Sequence, residues 1–281
     1  MTDPEYLLSF IREDAPFGDI TSDAVIGDTR CRARIVTREE GVIAGLEEAA
    51  FLFRHFGVTV NQGAADGDSV QPGTEVLDLE GPARSILLVE RTALNIVGRM
   101  SGIATRTRRC VLLLNQAETG CRIAATRKTA PGLRTLDKKA VALGGGDPHR
   151  LSLSDGILIK DNHLALVPAD EAVRAAKRAS FYRKIEIEVT TPEEAAAAAD
   201  AGADILLLDN MTPGQVTATL ILLEDRGMRG LVLVEVSGGI DEENLRSYAL
   251  PGVDLISAGM LTHSVKNFDV SLDIMKNLEL P

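Results

Sequence analysis

From about residue 121 onward, short apolar runs alternate with helical segments, and this alternation restricts the fold more than any other feature of the sequence. Strands are expected at 122–126, 156–159, 184–189, 204–208, 231–236 and 254–258. Helices are expected between them, at about 133–143, 168–179, 192–201, 213–226 and 241–248. Val, Ile and Leu fill the strands with little alternation, the pattern of a parallel sheet covered on both faces. Pro or Asp opens several of the helices, which suits the first helical turn. A length of 281 residues fits one large α/β domain or a barrel with a smaller companion.

The first 115 or so residues read differently. A short amphipathic helix is expected at 4–12, then strand-like stretches at 32–37, 57–60 and 74–79, separated by turn signals such as Asp66-Gly67 and Pro72-Gly73. A long helix follows at about 83–115, with Ser101-Gly102 as a place where it could break. Leu87, Leu88, Arg91, Leu94 and Asn95 fall on one helical face, so Arg91 and Asn95 interrupt an otherwise apolar stripe. Three cysteines without metal-ligand spacing fit reduced thiols. The N-terminus has no apolar signal core, and no apolar run is long enough to span a bilayer. The expectation is a cytoplasmic protein with no membrane partner.

The net charge is −11, which excludes nucleic acid as a partner of the chain as a whole. Against that background a local positive island is informative. Between residues 122 and 150 stand seven cations (Arg122, Arg127, Lys128, Arg134, Lys138, Lys139, Arg150) and two acids (Asp137, Asp147), with His149 as a further candidate cation. Such an island suits a small, highly charged anion. The plainer reading is a solvated helix face.

In a βα barrel the chemistry sits at the carboxyl ends of the strands. Each expected strand ends in charged or Gly-rich sequence: Thr126-Arg127-Lys128-Thr129, Lys160-Asp161-Asn162-His163, Asp209-Asn210, Glu235-Val236-Ser237-Gly238-Gly239 and Ser257-Ala258-Gly259. In the remaining strand Glu186 and Glu188 alternate with apolar residues and share one face. Charges inside a barrel are costly unless paired or used. Ser237-Gly238-Gly239 precedes a helix expected near Asp241, and Ala258-Gly259-Met260 forms the next loop. Paired glycine loops after the last strands are a common phosphate cradle. Arg127, Lys128, Arg134, His149, Arg150 and Lys160 can neutralise carboxylates and a pyrophosphate. Glu188 and Asp209 offer hard oxygens for Mg²⁺ or a sugar hydroxyl, or simply pair with nearby lysines. There is no nucleophile elbow, Walker lysine loop, HExxH or CxxC pattern, and Gly144-Gly145-Gly146 follows a helix, which is wrong for a dinucleotide fingerprint.

The stretch TRKTAPGLRTLDKKAVALGGGDPHRLSLSDGILIKDNH (126–163) strongly resembles the signature of type II phosphoribosyltransferases that act on quinolinate. Glu90-Arg91-Thr92-Ala93-Leu94-Asn95, Leu208-Asp209-Asn210-Met211, Ser237-Gly238-Gly239-Ile240 and Leu261-Thr262-His263-Ser264 extend the resemblance along the chain. It implies an incomplete α/β barrel of about six parallel strands (116–264) and an N-terminal α/β sandwich domain (1–115) joined by the tail 265–281. It implies transfer of phosphoribosyl from phosphoribosyl pyrophosphate to quinolinate with decarboxylation, with Mg²⁺ as cofactor, in NAD biosynthesis. It also implies a homodimer, or an assembly of dimers, with active sites shared between subunits. By the same resemblance Arg91 would reach the quinolinate carboxylates of the neighbouring subunit. Arg127, Lys128, His149, Arg150 and Lys160 would line the quinolinate pocket. Lys128, Lys160, Glu188 and Asp209 would be catalytic and would face the phosphoribosyl donor, with Glu188 and Asp209 toward Mg²⁺. Ser237, Gly238, Gly239, Gly259 and His263 would complete the donor's phosphate site. A paralogue associated with molybdenum transport fits less well, because Arg134, Lys138, Lys160 and Asp161-Asn162-His163 are all present. A nicotinate-specific relative, acting on a monoacid, would need fewer cations for the base and usually has a longer chain. A carrier-type binding module fails for lack of a lysine at the hairpin tip in 66–73.

Overall fold

A computed structural model describes residues 2–275. Two compact units divide the chain: one runs to Arg106 and includes Thr135–Gly145 and the chain from Val265 on, and the other holds Thr107–Arg134 and Gly146–Ser264.

The first unit opens with helices α1 (Pro4–Asp14) and α2 (Ile20–Val25), whose N-cap residues Asp3 and Asp19 accept backbone N–H groups of the first turn. Then come β1 (Arg30–Thr37), β2 (Gly41–Val42), α3 (Leu46–His55), β3 (Thr59–Gln62), β4 (Ser69–Val70) and β5 (Glu75–Pro82). β5 pairs antiparallel with β1 on one side and β3 on the other, while β2 pairs with β4. α3 buries Leu46, Ala49, Ala50, Leu52 and Phe53, and each large side chain removed from water stabilises by about 1.5–3 kcal/mol. Helix α4 (Ala83–Asn115) starts directly after β5, and the boundary between the units falls within it. It runs unbroken through Ser101-Gly102. The glycines serve a close approach instead: a Cβ on Gly102 would lie 2.1 Å from the carbonyl oxygen of Lys266, and one on Gly98 3.0 Å from that of Phe268.

The second unit carries a six-stranded parallel sheet. β6 (Arg122–Ala124) comes first, followed in the chain by α5 (Arg134–Leu143), most of which belongs to the first unit. β7 (Ile157–Ile159), α6 (Asp161–Leu164), α7 (Ala169–Ala179), β8 (Ile185–Val189), α8 (Pro192–Ala201), β9 (Ile205–Asp209) and α9 (Pro213–Asp225) follow. β10 (Leu233–Ser237), α10 (Leu245–Tyr248), β11 (Leu255–Ser257) and α11 (Met260–His263) complete it. The strand order is β6-β11-β10-β9-β8-β7, and every pairing is parallel. β6 and β7 end the sheet and do not pair with each other, so the expected barrel of six strands is incomplete. Beside β6 the chain at Asp147 adds a bridge to Ala124. α8 and α9 start at Pro192 and Pro213 with Thr191 and Thr212 as caps.

Residues 265–275 return to the first unit, where β12 (Val270–Ile274) pairs antiparallel with β1 and completes the sheet β12-β1-β5-β3. Of the expected tail 265–281, residues 276–281 lie outside the described residues. α5 is bound into this unit by charge. Arg99 grips the fully buried Asp137 at 2.7 and 2.9 Å, and Lys139 meets Glu47, Glu48 and Asp66 at 2.7, 2.9 and 3.5 Å. Burial alone would lower the Lys139 ammonium, but these carboxylates hold it above its ordinary value. Among the described residues no helix is long and apolar enough to cross a membrane.

Candidate active site

The register of the parallel sheet sets polar strand ends side by side. Asp209 is level with Ser237, Ser237 with Ser257, and Ser257 with Ala124. Two-residue periodicity then aims Glu186 and Glu188, Leu207 and Asp209, and Glu235 and Ser237 the same way along their strands. The result is a cavity of about 480 Å³ at the carboxyl ends.

Its lining contains Arg127, Lys128, His149, Arg150, Lys160, Glu188, Asp209, Ser237, Gly238 and Gly239, all singled out by sequence. Thr126, Leu158, Asp161, Asn210, Glu235 and Ser257 also face it. Gly259 and His263 stand beside the cavity rather than in its lining. A Cβ on Gly259 would come within 2.8 Å of the His263 ring and 3.1 Å of Lys128 Cδ, so glycine there lets these two side chains pack close. Thr262 Oγ1 donates to the Lys128 carbonyl at 2.9 Å. Arg91 belongs to the other unit, on an exposed position of α4.

The positive island separates into two populations. Arg127, Lys128 and Arg150 line the cavity, while Lys139 is spent on Glu47, Glu48 and Asp66, and Arg122 pairs with Asp147 at 2.9 Å. Lys138 is buried in the first unit, and Arg134 reaches Thr129 and the Leu151 carbonyl. Only part of the charge run therefore faces the cavity.

The glycine loop also differs from expectation. α10 starts at Leu245 and has four residues, so no long helix points its dipole at Gly238-Gly239. Asp241 and Asn244 form a turn, with Asn244 Nδ2 donating to the Gly239 carbonyl at 2.9 Å. Any phosphate held here relies on loop N–H groups. Gly238 has φ +102°, and a Cβ there would lie 2.3 Å from Asn210 Oδ1. Asn210 has φ +56°, donates from its backbone N–H to the Ser237 carbonyl at 2.8 Å and from Nδ2 to Asp209 at 2.5 Å.

Lys160 Nζ donates to Glu188, so the plainer reading of that carboxylate, an ion pair with a lysine, holds in the free protein. His149 has φ +53°, a strained backbone fixed by its N–H donating to Asp147 Oδ1 at 2.7 Å. Its Nε2 lies 3.2 Å from Glu235 and 3.8 Å from Glu186. Both carboxylates are buried, and Glu186 Oε1 has no hydrogen-bond partner. Burial first, and then the charge of Glu235, push Glu186 up to about 7. Burial and neighbouring Arg127 lower Arg150, while Glu186, Glu235 and Asp155 act the other way. Donor atoms of His149, Glu186 and Glu235 lie within 4.8 Å of one another, but Arg150 and Lys160 already supply positive charge to this cluster.

Comparison with known proteins decides the family. The model for the C-terminal domain of quinolinate phosphoribosyl transferase matches residues 103–273, and that for its N-terminal domain matches residues 19–101. The chain belongs to the quinolinate phosphoribosyl transferase family. Among its relatives, the probable carboxylating nicotinate-nucleotide pyrophosphorylase of Methanothermobacter thermautotrophicus is 49% identical over 273 residues, covering 96% of this chain and 98% of that one. The human carboxylating nicotinate-nucleotide pyrophosphorylase is 37% identical over 268 residues, covering 95% and 89%. The solved structure of the nicotinate-nucleotide pyrophosphorylase of Francisella tularensis superimposes with a TM-score of 0.89 at 34% identity, covering 98% of both chains.

Within this family member, sequence reasoning assigned no role to Glu235 or Asn210 and saw Glu186 only as a companion of Glu188. The signal for Glu235 was present: it stands two residues before Ser237 in a strand, hence on the same face. Asn210 carried the signal of an Asn directly after an apolar strand, a residue that tolerates positive φ.

Proposed function

We propose that the chain transfers the phosphoribosyl group of phosphoribosyl pyrophosphate to quinolinate with loss of CO₂, giving nicotinate mononucleotide and pyrophosphate in the synthesis of NAD. The observation that carries this reading is one cavity joining Arg127, Lys128, His149, Arg150 and Lys160 with Glu188, Asp209 and the Ser237-Gly238-Gly239 loop. Cations on the chain after β6 suit the two quinolinate carboxylates, and arginine meets a carboxylate in bidentate fashion. Asp209, Ser237 and the glycine loop suit the ribose and its 5′-phosphate. His263, beside Gly259, joins that phosphate side.

The pyridine nitrogen attacks C1 of the ribose as the bond to pyrophosphate breaks, and the electron pair leaves with pyrophosphate. Positive charge develops at C1 and the ring oxygen. Glu188 and Asp209 place fixed negative charge beside the sugar, while Lys128 and Lys160 balance the departing oxygens. Ribosylation makes the pyridine ring cationic, so the adjacent carboxylate leaves as CO₂ and its electron pair stays on the ring carbon until a proton arrives. Lys160, released from Glu188 by the donor, is free to meet a carboxylate of the substrate. Glu188 and Asp209 are hard oxygen donors on neighbouring strands and would hold Mg²⁺. The ion would supply neutralisation of the pyrophosphate charge. The chain acts in the cytoplasm as a homodimer or an assembly of dimers, and Arg91 of the partner subunit completes the quinolinate pocket.

The test is direct. Purified protein is mixed with quinolinate, phosphoribosyl pyrophosphate and Mg²⁺, and nicotinate mononucleotide and CO₂ are measured, with nicotinate as control. Product from quinolinate alone is expected. Product from nicotinate instead would overturn the assignment of the base.

A further inference from the structure

His149 and Glu235 are the two residues that line both the active cavity and a second cavity of about 600 Å³ in the same unit. The second cavity is bounded by the first residues of four strands, Arg122, Ile205, Leu233 and Leu255, so it opens at the amino ends of the sheet. The imidazole and the carboxylate, 3.2 Å apart, are thus the partition between two water-accessible spaces. Glu235 is 1% exposed and Glu186 5%, and Glu186 Oε1 has no partner of its own. Two carboxylates this deeply buried are costly unless they balance positive charge. The groups that supply it are His149 and Arg150 on one chain segment and Lys160 after β7.

We infer that Glu235, backed by Glu186, is a positioning residue for the base-binding side of the cavity: it fixes the His149 ring across the partition and keeps it cationic toward a dicarboxylate. This rests on the proposed function for the identity of the dicarboxylate, but the contact itself does not. His149 already occupies a strained backbone position pinned by Asp147, so its main chain is held from one side and its ring from the other. Without the carboxylate the ring loses its contact with Glu235 and the nearby charge that favours imidazolium. The chain has three other histidines, His55, His163 and His263, so the His149 resonances are assigned among four.

The experiment uses the full chain with Glu235→Gln, which preserves shape. The His149 ring resonances, assigned through His149→Asn, are followed through a pH titration in wild type and variant. The midpoint in Glu235→Gln is expected to fall by about one pH unit, and Glu235→Asp is expected to recover part of the shift. Steady-state kinetics give the second readout: the KM for quinolinate rises about tenfold while the KM for phosphoribosyl pyrophosphate changes less than about twofold. If Glu235→Gln fails to fold, Glu186→Gln is expected to shift both readouts in the same direction. An unchanged His149 midpoint, or equal changes in the two KM values, would overturn the inference. A wild-type enzyme inactive on quinolinate would sink the proposed function yet leave the titration to decide the positioning role.

Discussion

At Glu186 burial works against charge. The carboxyl is almost fully enclosed, one oxygen is unpartnered, and Glu235 lies on the next strand but one. Its value is raised from 4.5 to about 7, so the folded state binds the proton more tightly than the unfolded state. That contribution to stability is fully present below about pH 4.5 and is lost as pH rises through about 7. Glu186→Gln removes the buried charge, so the variant should be more stable than wild type at pH 8, on the order of 2 kcal/mol. The two should converge near pH 4.5. Urea unfolding at both pH values checks this, and equal stability at pH 8 would contradict it. The same substitution is expected to weaken quinolinate binding, a case of stability yielded for function. The shared face of Glu186 and Glu188 was legible in the alternation IEIEV. Their different fates were not, because Lys160 meets one and Glu235 opposes the other from separate strands. Register across a sheet decides such partners, and no local spacing encodes it.

Elements were legible to the degree that local sequence determines them. The six parallel strands and α4, α7, α8 and α9 follow from apolar runs, period and prolines, and they appear within a few residues of their expected bounds. α5 was legible as a helix but not in its allegiance, since Arg99, Glu47, Glu48 and Asp66 lie far from it in the chain. α10 begins later than expected because Asp241 caps a turn at Asn244 instead of opening a helix. Gly102 is the instructive case. A glycine inside a helix ordinarily costs about 1 kcal/mol against alanine, so Gly102→Ala would stabilise an isolated helix. Here the added methyl would stand 2.1 Å from the Lys266 carbonyl oxygen, against backbone that leads into β12. Overpacking of this kind costs about 1–3 kcal/mol. Gly102→Ala is expected to lower the midpoint of thermal unfolding by several degrees, whereas Gly214→Ala in α9, with open space around it, should leave it within about a degree. Calorimetry on both variants distinguishes the readings, and a stabilised Gly102→Ala would show that the segment at Lys266 yields freely.

Charge balance speaks at the scale of the whole molecule. Among the described residues lining the active cavity, Arg127, Lys128, Arg150 and Lys160 face Asp161, Glu188, Asp209 and Glu235, so fixed charges cancel before His149 is considered. The chain as a whole is acidic at −11 and offers no general attraction to anions. A dicarboxylate and a pyrophosphate together bring far more negative charge than one such cavity can neutralise. The proposed Mg²⁺ would meet part of the deficit. A cation from beyond this cavity's own lining would meet the rest. Arg91 is suited to supply it: it is exposed, in the first unit, and set in the stripe with the half-buried Leu87 and Leu88. A symmetric dimer would use this face twice, giving each site one arginine from its neighbour. Arg91→Ala and Lys160→Ala should each abolish turnover when alone. A mixed dimer of the two contains one site with both residues intact and one with neither. Random exchange makes half the dimers mixed, so activity should recover to about a quarter of wild type. Subunits are exchanged under mild denaturant, mixed dimers are verified by native mass spectrometry, and quinolinate turnover is measured. Verified mixed dimers without activity would mean that Arg91 serves its own chain or none.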